Sequence, residues 1–358
     1  MDARASRISA LLAPPVAESA LRIKSQAVYV ALVFGAVGAL AGLIFTLLRP
    51  EPPLAGPGSF GLFAAFASGA VAALVSGLGY VRARHQPGQE WRQNISGRVF
   101  AVSTAAVVIV HTALTFLGAY VKFFVLSLAF IGLPVSTFFG TAALGGVLAL
   151  TAYLVLPSVA NITTQRMALL LMTFVVLGAL TSAVTAPFDG WWRIHFSQLG
   201  AYNAVSSYIF NGTLIAGGVL VAAFAVYLAN DMKALADAGK LTDRSSPKAV
   251  SRLFIVMGVM LSFVGLIPVD VSKVLHTIPA SGMAVVFLIL LIRGPRYLAG
   301  MPPTYFVSAW GFLIATVATV VLFLVGVFSL TALELILFGL IFGWITVFIS
   351  FLGLAAED

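Results

Sequence analysis

Residues 187–220 read Pro-Phe-Asp-Gly-Trp-Trp-Arg-Ile-His-Phe-Ser-Gln-Leu-Gly-Ala-Tyr-Asn-Ala-Val-Ser-Ser-Tyr-Ile-Phe-Asn-Gly-Thr-Leu-Ile-Ala-Gly-Gly-Val-Leu. The first half gathers two tryptophans, an acid, a base and a histidine. The second half enters an apolar helix, with Asn211 about two turns inside it. Strongly apolar runs flank the polar half, at 167–186 and 204–229. A helix needs about 20 mostly apolar residues to cross the hydrocarbon core of a bilayer. The stretch therefore reads as a polar connection between two membrane spans.

Working outward, eight further runs have the same character: 27–48, 60–81, 99–118, 136–156, 253–269, 275–292, 305–328 and 331–353. Prolines punctuate the connections, among them Pro50, Pro52, Pro53, Pro157, Pro187, Pro247, Pro268, Pro295, Pro302 and Pro303. The composition agrees. Hydrophobic residues make up 61% and charged residues 9%, against about a quarter charged in soluble domains. So little charge cannot cover a water-facing surface. The fold class is all-α, a polytopic bundle of about ten spans. Zero cysteines exclude disulfides, thiolate metal sites and a cysteine nucleophile. The first apolar run has 22 residues, longer than the ~7–15 of a cleavable signal, so it reads as a retained helix.

Lysine and arginine placement orients the spans. With both termini cytoplasmic, sixteen of the twenty cations fall on inner segments and four, Arg49, Lys122, Arg193 and Lys273, on outer ones. The expectation is a multi-pass protein of the cell membrane, N-in and C-in. A basic inner face is what orientation beside anionic lipid produces, so the net charge of +8 does not point to nucleic acid. Residues 121–133 are also apolar. Were they an eleventh span, the five-cation loop 230–252 would lie outside. Residues 121–135 therefore read as a re-entrant or interfacial piece ending at Pro134, or as an extension of a neighbouring helix. The domain expectation is a cytoplasmic segment 1–26, a four-span part 27–160 and a six-span part 165–354.

A faint repeat relates 138–148 to 210–220, identical at seven of eleven positions. Recurrence of small and apolar residues by chance explains it as well. Either way the Gly-Gly pairs offer close backbone approach, the usual use of small residues between membrane helices, and homo-oligomer or partner contacts through such faces are an open reading. Gly35–Gly42 loosely mimics a phosphate loop, but it lies inside an apolar run and reads as packing surface.

The orientation gathers polar side chains on the outer side. Asp189, His195, Asp270 and His276 are candidate catalytic groups, since two carboxylates and two imidazoles suit acid/base chemistry or zinc. The Asp-x5-His spacing, met twice, is not a metal signature, and helix capping or pairing with Arg193 and Lys273 is the simpler account. No metal is expected, His195 and His276 being the only weak candidates, and no cofactor. Trp191, Trp192, Arg193, Asn211, Glu334 and His111 are candidate ligand or lipid contacts. The tryptophans equally fit an interfacial belt, Asn211 a bond to a neighbouring helix, and His111 a buried, satisfied histidine. A haem ligated by His111 and His276 would rest on two residues alone.

The order Ser197-x-Leu199-Gly200, then Ser207-x-x-Phe210-Asn211, then Gly265-x-x-Pro268, then His276 followed by Ala280 and Ala284, resembles the domain-of-unknown-function 998 family of six-span bacterial and archaeal membrane proteins. The resemblance covers about 165–354 and leaves the first four spans out. It implies a six-helix bundle with polar loops on the outer face and no established activity. The family is similar in layout to eukaryotic six-span proteins linked to lipid remodelling, sterol retention and autophagy. The leading expectation is thus a non-enzymatic membrane protein whose outer polar cluster meets lipid headgroups or a partner, with lipid handling or transport as its setting. The alternatives are a membrane-embedded metal-dependent hydrolase at that cluster and a scaffold subunit of a membrane complex.

Overall fold

The computed structural model describes residues 15–86 and 88–357. Arg4 and Arg7 of the N-terminal segment lie outside them. Ten helices among the described residues are long and apolar enough to cross a membrane. They divide into two compact units, Met1–Ile162 and Thr163–Asp358.

The first unit holds α1 (Pro15–Leu48), α2 (Phe60–Ala83), α3 (Gly97–Ala129) and α4 (Thr137–Ala160). Serines set three of the starts. Ser59, Ser96 and Ser136 each accept the backbone N–H three residues on, at 3.1–3.3 Å, which satisfies a helix-end donor that has no partner within the helix. Glycines let α1 lie on α4. A Cβ at Gly38 would fall 2.7 Å from the Leu144 carbonyl oxygen, and one at Gly42 would fall 2.4 Å from that of Gly140. The Gly35–Gly42 stretch is packing surface. Beyond the end of α2, the fully buried Arg92 donates to the Tyr80 carbonyl at 2.9 Å and stacks on the Tyr80 ring at 4.0 Å. Arg84 donates to the carbonyls of Arg92 and Gln93, each at 3.0 Å.

Residues 121–129 do not form a separate re-entrant piece. They continue α3, whose 33 residues extend about 50 Å at ~1.5 Å per residue, well beyond a ~30 Å hydrocarbon core. The chain leaves the helix at Phe130 and turns through Gly132, φ +72°. Pro157 does not end a span either. It sits in the last turn of α4.

The second unit holds α5 (Thr164–Val184), α6 (Val205–Asp237), α7 (Ser246–Leu266), α8 (Lys273–Tyr297), α9 (Pro303–Leu324) and α10 (Leu330–Glu357). The most apolar window of α6 is 67% buried, against 17–39% for the other five, so α6 is the central post. It packs on α5 where Gly178 faces Thr213, and on α7 where Gly218 faces Gly258 and Ser262. The core is aromatic: Phe224, Phe254, Phe287, Trp344 and Phe348 are all buried, with Phe254 and Phe348 stacked on Trp344. Buried hydroxyls return their protons to carbonyls, as Ser251 does to Ala225 at 2.8 Å, which apolar surroundings require.

The 138–148 and 210–220 segments use their glycines differently. Gly140 is tightly enclosed while its counterpart Gly212 faces open space; Gly146 is open while Gly218 is enclosed. The likeness in letters is not a likeness in packing.

Candidate functional site

Residues 185–204 leave α5 and fold over one end of the six-helix unit in two 3₁₀ turns, Trp191–Arg193 and Phe196–Gly200. Side chains from α6, the α7–α8 connection and α10 hold them. From α6, the Asn211 amide donates to the Gly200 carbonyl at 2.8 Å. A Cβ at Gly200 would fall 2.4 Å from Asn211 Oδ1 and 3.0 Å from the Phe210 ring, so a larger residue there would displace the Asn211 amide. Asn211's own carbonyl abuts Gly265 of α7, where a Cβ would come within 2.5 Å of it. Ser207 Oγ accepts from the Ala204 amide at 2.9 Å and closes the entry to α6.

From the α7–α8 connection, Asp270 Oδ2 accepts the Tyr202 N–H at 3.0 Å. Tyr202 and Asn203 are left-handed, φ +73° and +49°, a conformation uncommon outside glycine, and Asp270 anchors the bend. From α10, Glu334 accepts the amides of Phe196 and Ser197, and Thr331 donates to the Trp192 carbonyl at 2.7 Å. Beneath the loop, Leu199, Phe210, Leu214 and Val264 form a buried cluster flanked by Trp191, Phe196 and Ala280. The family-like marks at 197–200, 207–211, 265–268 and 276 thus lock into one clasp.

His276 is buried, and its Nδ1 meets the Ile267 carbonyl at 2.8 Å. A carbonyl only accepts, so Nδ1 carries the proton and Nε2 presents a lone pair. That Nε2, and Nδ1 of His195, are buried without a hydrogen-bond partner. Burial pushes the His195 imidazole below its ordinary 6.5, and positive charge nearby, on His276 when that ring is protonated and on Lys273, pushes it the same way. A histidine more easily charged when unfolded favours the native loop fully above about pH 6.5, and that contribution is lost as the pH falls toward its lowered native value. Between pH 7.5 and 5, tryptophan emission from the loop is expected to shift as the loop loosens. His195→Gln should remove the shift; an unchanged pH profile in that variant would sink the assignment.

The sequence expectation of four converging groups is only partly met. Among the described residues no three of His, Asp and Glu gather closely enough to hold a metal ion. Asp189 is exposed on the loop, and Asp270 is engaged by a backbone amide. Only His195 and His276 remain as neighbours with open nitrogens. Glu334 and Asn211 hold the loop itself. Trp191 packs half-buried, whereas Trp192 is exposed with the Arg193 guanidinium over its ring at 5.0 Å. His111 is a correction to the list of contacts. It is buried, and both ring nitrogens are engaged, with the Val107 carbonyl at 2.8 Å and Ser158 Oγ at 3.0 Å, so it offers nothing to a ligand. Thr331 escaped notice; its signal was its place three residues before Glu334, on the same helix face.

Neither a curated protein nor a solved structure matches the chain. A family model described as "Protein of unknown function (DUF998)" matches residues 168–350, 183 of the 358 residues. That span runs from α5 into α10 and takes in every helix contributing to the clasp. The chain belongs to the DUF998 family.

Proposed function

We propose that the protein is a non-enzymatic integral membrane protein whose 185–204 loop meets lipid headgroups at the outer boundary of the bilayer, in lipid handling or transport. The carrying observation is what the loop shows outward once its polar partners are engaged. Glu334, Asn211, Asp270 and Thr331 are bonded to its own backbone. Facing out are Phe188, Tyr202 and Trp192 with its stacked Arg193, and Lys273 is exposed nearby on α8. Aromatic rings and cations with apolar stems are the groups that settle at headgroup level. The side follows from charge: of ten lysines and arginines in residues 163–358, only Arg193 and Lys273 lie at the loop's end of the unit, which favours the outer face.

A single-tryptophan chain keeping Trp192, in vesicles, tests this. Quenching by phosphatidylglycerol carrying a spin label near its headgroup should exceed that by phosphatidylcholine labelled alike, about fivefold per engaged cation. The Arg193→Gln, Lys273→Gln double variant should erase the difference. Equal quenching in the parent chain counts against the proposal. The metal-dependent hydrolase retains one supporting observation, the two open nitrogens of His195 and His276. Stoichiometric zinc, lost when both are replaced, would favour it instead.

A further inference from the structure

Within the first unit, a cavity of about 620 Å³ runs between α1, α2 and α4. On α1 it is lined by Gln26, Tyr29, Val30, Val33 and Phe34, the i, i+3, i+4, i+7 and i+8 positions of one helix face. Leu74 and Leu78 form the facing wall on α2, and Leu156 of α4 contributes to the floor. Tyr29, Val33, Leu74 and Leu78 are all exposed, so the groove is open along its length. Its chemistry is graded. The polar lining, Gln26, Arg82 and Gln86, collects about three turns into α1 and at, or just beyond, the end of α2. From Gln26 to Phe34 the walls extend about 12 Å at ~1.5 Å per residue, and beyond Gln26 they are hydrocarbon and aromatic.

Among the described residues Arg82 is the only formally charged one in the lining, and no acid of theirs lines the cavity. Its neighbours differ from it. The guanidinium of Arg84 donates to two carbonyls and lies 4.6 Å over Phe100, and that of Arg92 is buried on Tyr80. Among the described residues no side-chain hydrogen bond, ion pair or ring contact occupies Arg82. An unengaged guanidinium at the polar end of an apolar groove has the charge and shape of half a binding site. The missing half is an anion joined to a hydrocarbon chain. Guanidinium binds phosphate oxygens through paired N–H donors, and Gln26 and Gln86 add neutral donors beside it.

We propose that this groove binds an anionic phospholipid, its phosphate against Arg82 and the first part of one acyl chain along Val33, Leu74 and Leu78. The site lies outside the family-matched residues and is independent of the loop described above.

The test uses the full chain carrying Arg193→Gln and Lys273→Gln, so that the loop's end of the second unit does not contribute, purified in a neutral detergent. It is titrated with palmitoyl-oleoyl phosphatidylglycerol or phosphatidylcholine, and bound lipid is read by native mass spectrometry. Phosphatidylglycerol should be retained about fivefold better, the scale of one cation near a lipid surface. Adding Arg82→Gln should equalise the two lipids. Adding Leu78→Trp, at an exposed position that fills the groove, should lower retention of both while the protein stays monodisperse. Three results overturn the proposal: no headgroup preference in the starting chain, a preference that survives Arg82→Gln, or binding untouched by Leu78→Trp. A dimer that excludes lipid would assign the groove to a second copy and equally overturn it.

Discussion

Gly218→Leu is expected to leave no monodisperse protein after detergent extraction, whereas Gly212→Ala on the same helix should behave as the parent. A Cβ at Gly218 would fall 2.3 Å from the Gly258 carbonyl oxygen and 2.7 Å from the Ser262 amide nitrogen, and one at Gly258 would fall 2.5 Å from the Gly218 carbonyl. Both obstacles are backbone, so no rotamer change relieves them. The helices must separate, and the Ser262 hydroxyl bond to the Ile215 carbonyl at 3.2 Å separates with them. Overpacking a well-filled core costs about 1–3 kcal/mol even when side chains can shift. With backbone on both sides of the contact, Gly218→Ala should cost about 3 kcal/mol or more. At Gly212 nothing lies within 4 Å of a Cβ, and alanine's helix preference is worth up to ~1 kcal/mol. Thermal melts in one detergent, followed by tryptophan emission, give the comparison. A Gly218→Ala midpoint equal to the parent's would mean that α6 and α7 do not meet at this crossing.

Those glycines mark how far the letters reach. A Gly-Gly pair in an apolar run announces close approach, but not whether the neighbour is Gly258 of the next helix or a second chain. The ten spans were legible because bilayer thickness fixes the length of an apolar run; the side chains that cap their starts, Ser59, Ser96, Ser136, Thr163 and Ser272, emerge only in the structure. The far ends of α3 and α6 were less legible. Past the length that a bilayer needs, α3 continues through the apolar 121–129, which reads equally as a separate piece, and α6 through the amphipathic 230–237, which propensity alone does not separate from a loop. The polar cluster was legible as a set of residues sharing one end of the bundle. Its use was not, because the partners of Asn211, Asp270, Thr331 and Glu334 are main-chain atoms of Gly200, Tyr202, Trp192 and Phe196. Every residue has those atoms, so the sequence carries no mark of the pairing. Asn211, Asp270 and Glu334, which read as ligands for a substrate, are ligands for a loop.

Glu334→Ala is therefore expected to act on the loop rather than on a reaction. Its carboxylate accepts the Phe196 and Ser197 amides across 138 residues of sequence, and Ser197 Oγ lies 3.5 Å from it. Hydrogen bonds to a charged group contribute about 1.5–3 kcal/mol each, and a freed amide in an apolar setting has no substitute. Exchange at Phe196 and Ser197 should accelerate at least ~10-fold and up to ~100-fold. Glu334→Gln keeps one acceptor oxygen and should fall between. Thr331→Val removes one neutral bond, about 1 kcal/mol, so its effect should be smaller and centred on the amides beside Trp192. The helices of the unit remain packed through α6, so exchange at Phe224 and Phe254 should stay slow in all three variants. That separation is the decisive reading. Uniform acceleration would make Glu334 a residue of the global fold, and unchanged exchange at 196 and 197 would remove it from the clasp. Acceleration confined to the loop identifies Glu334 of α10 as a residue that holds the loop against the unit.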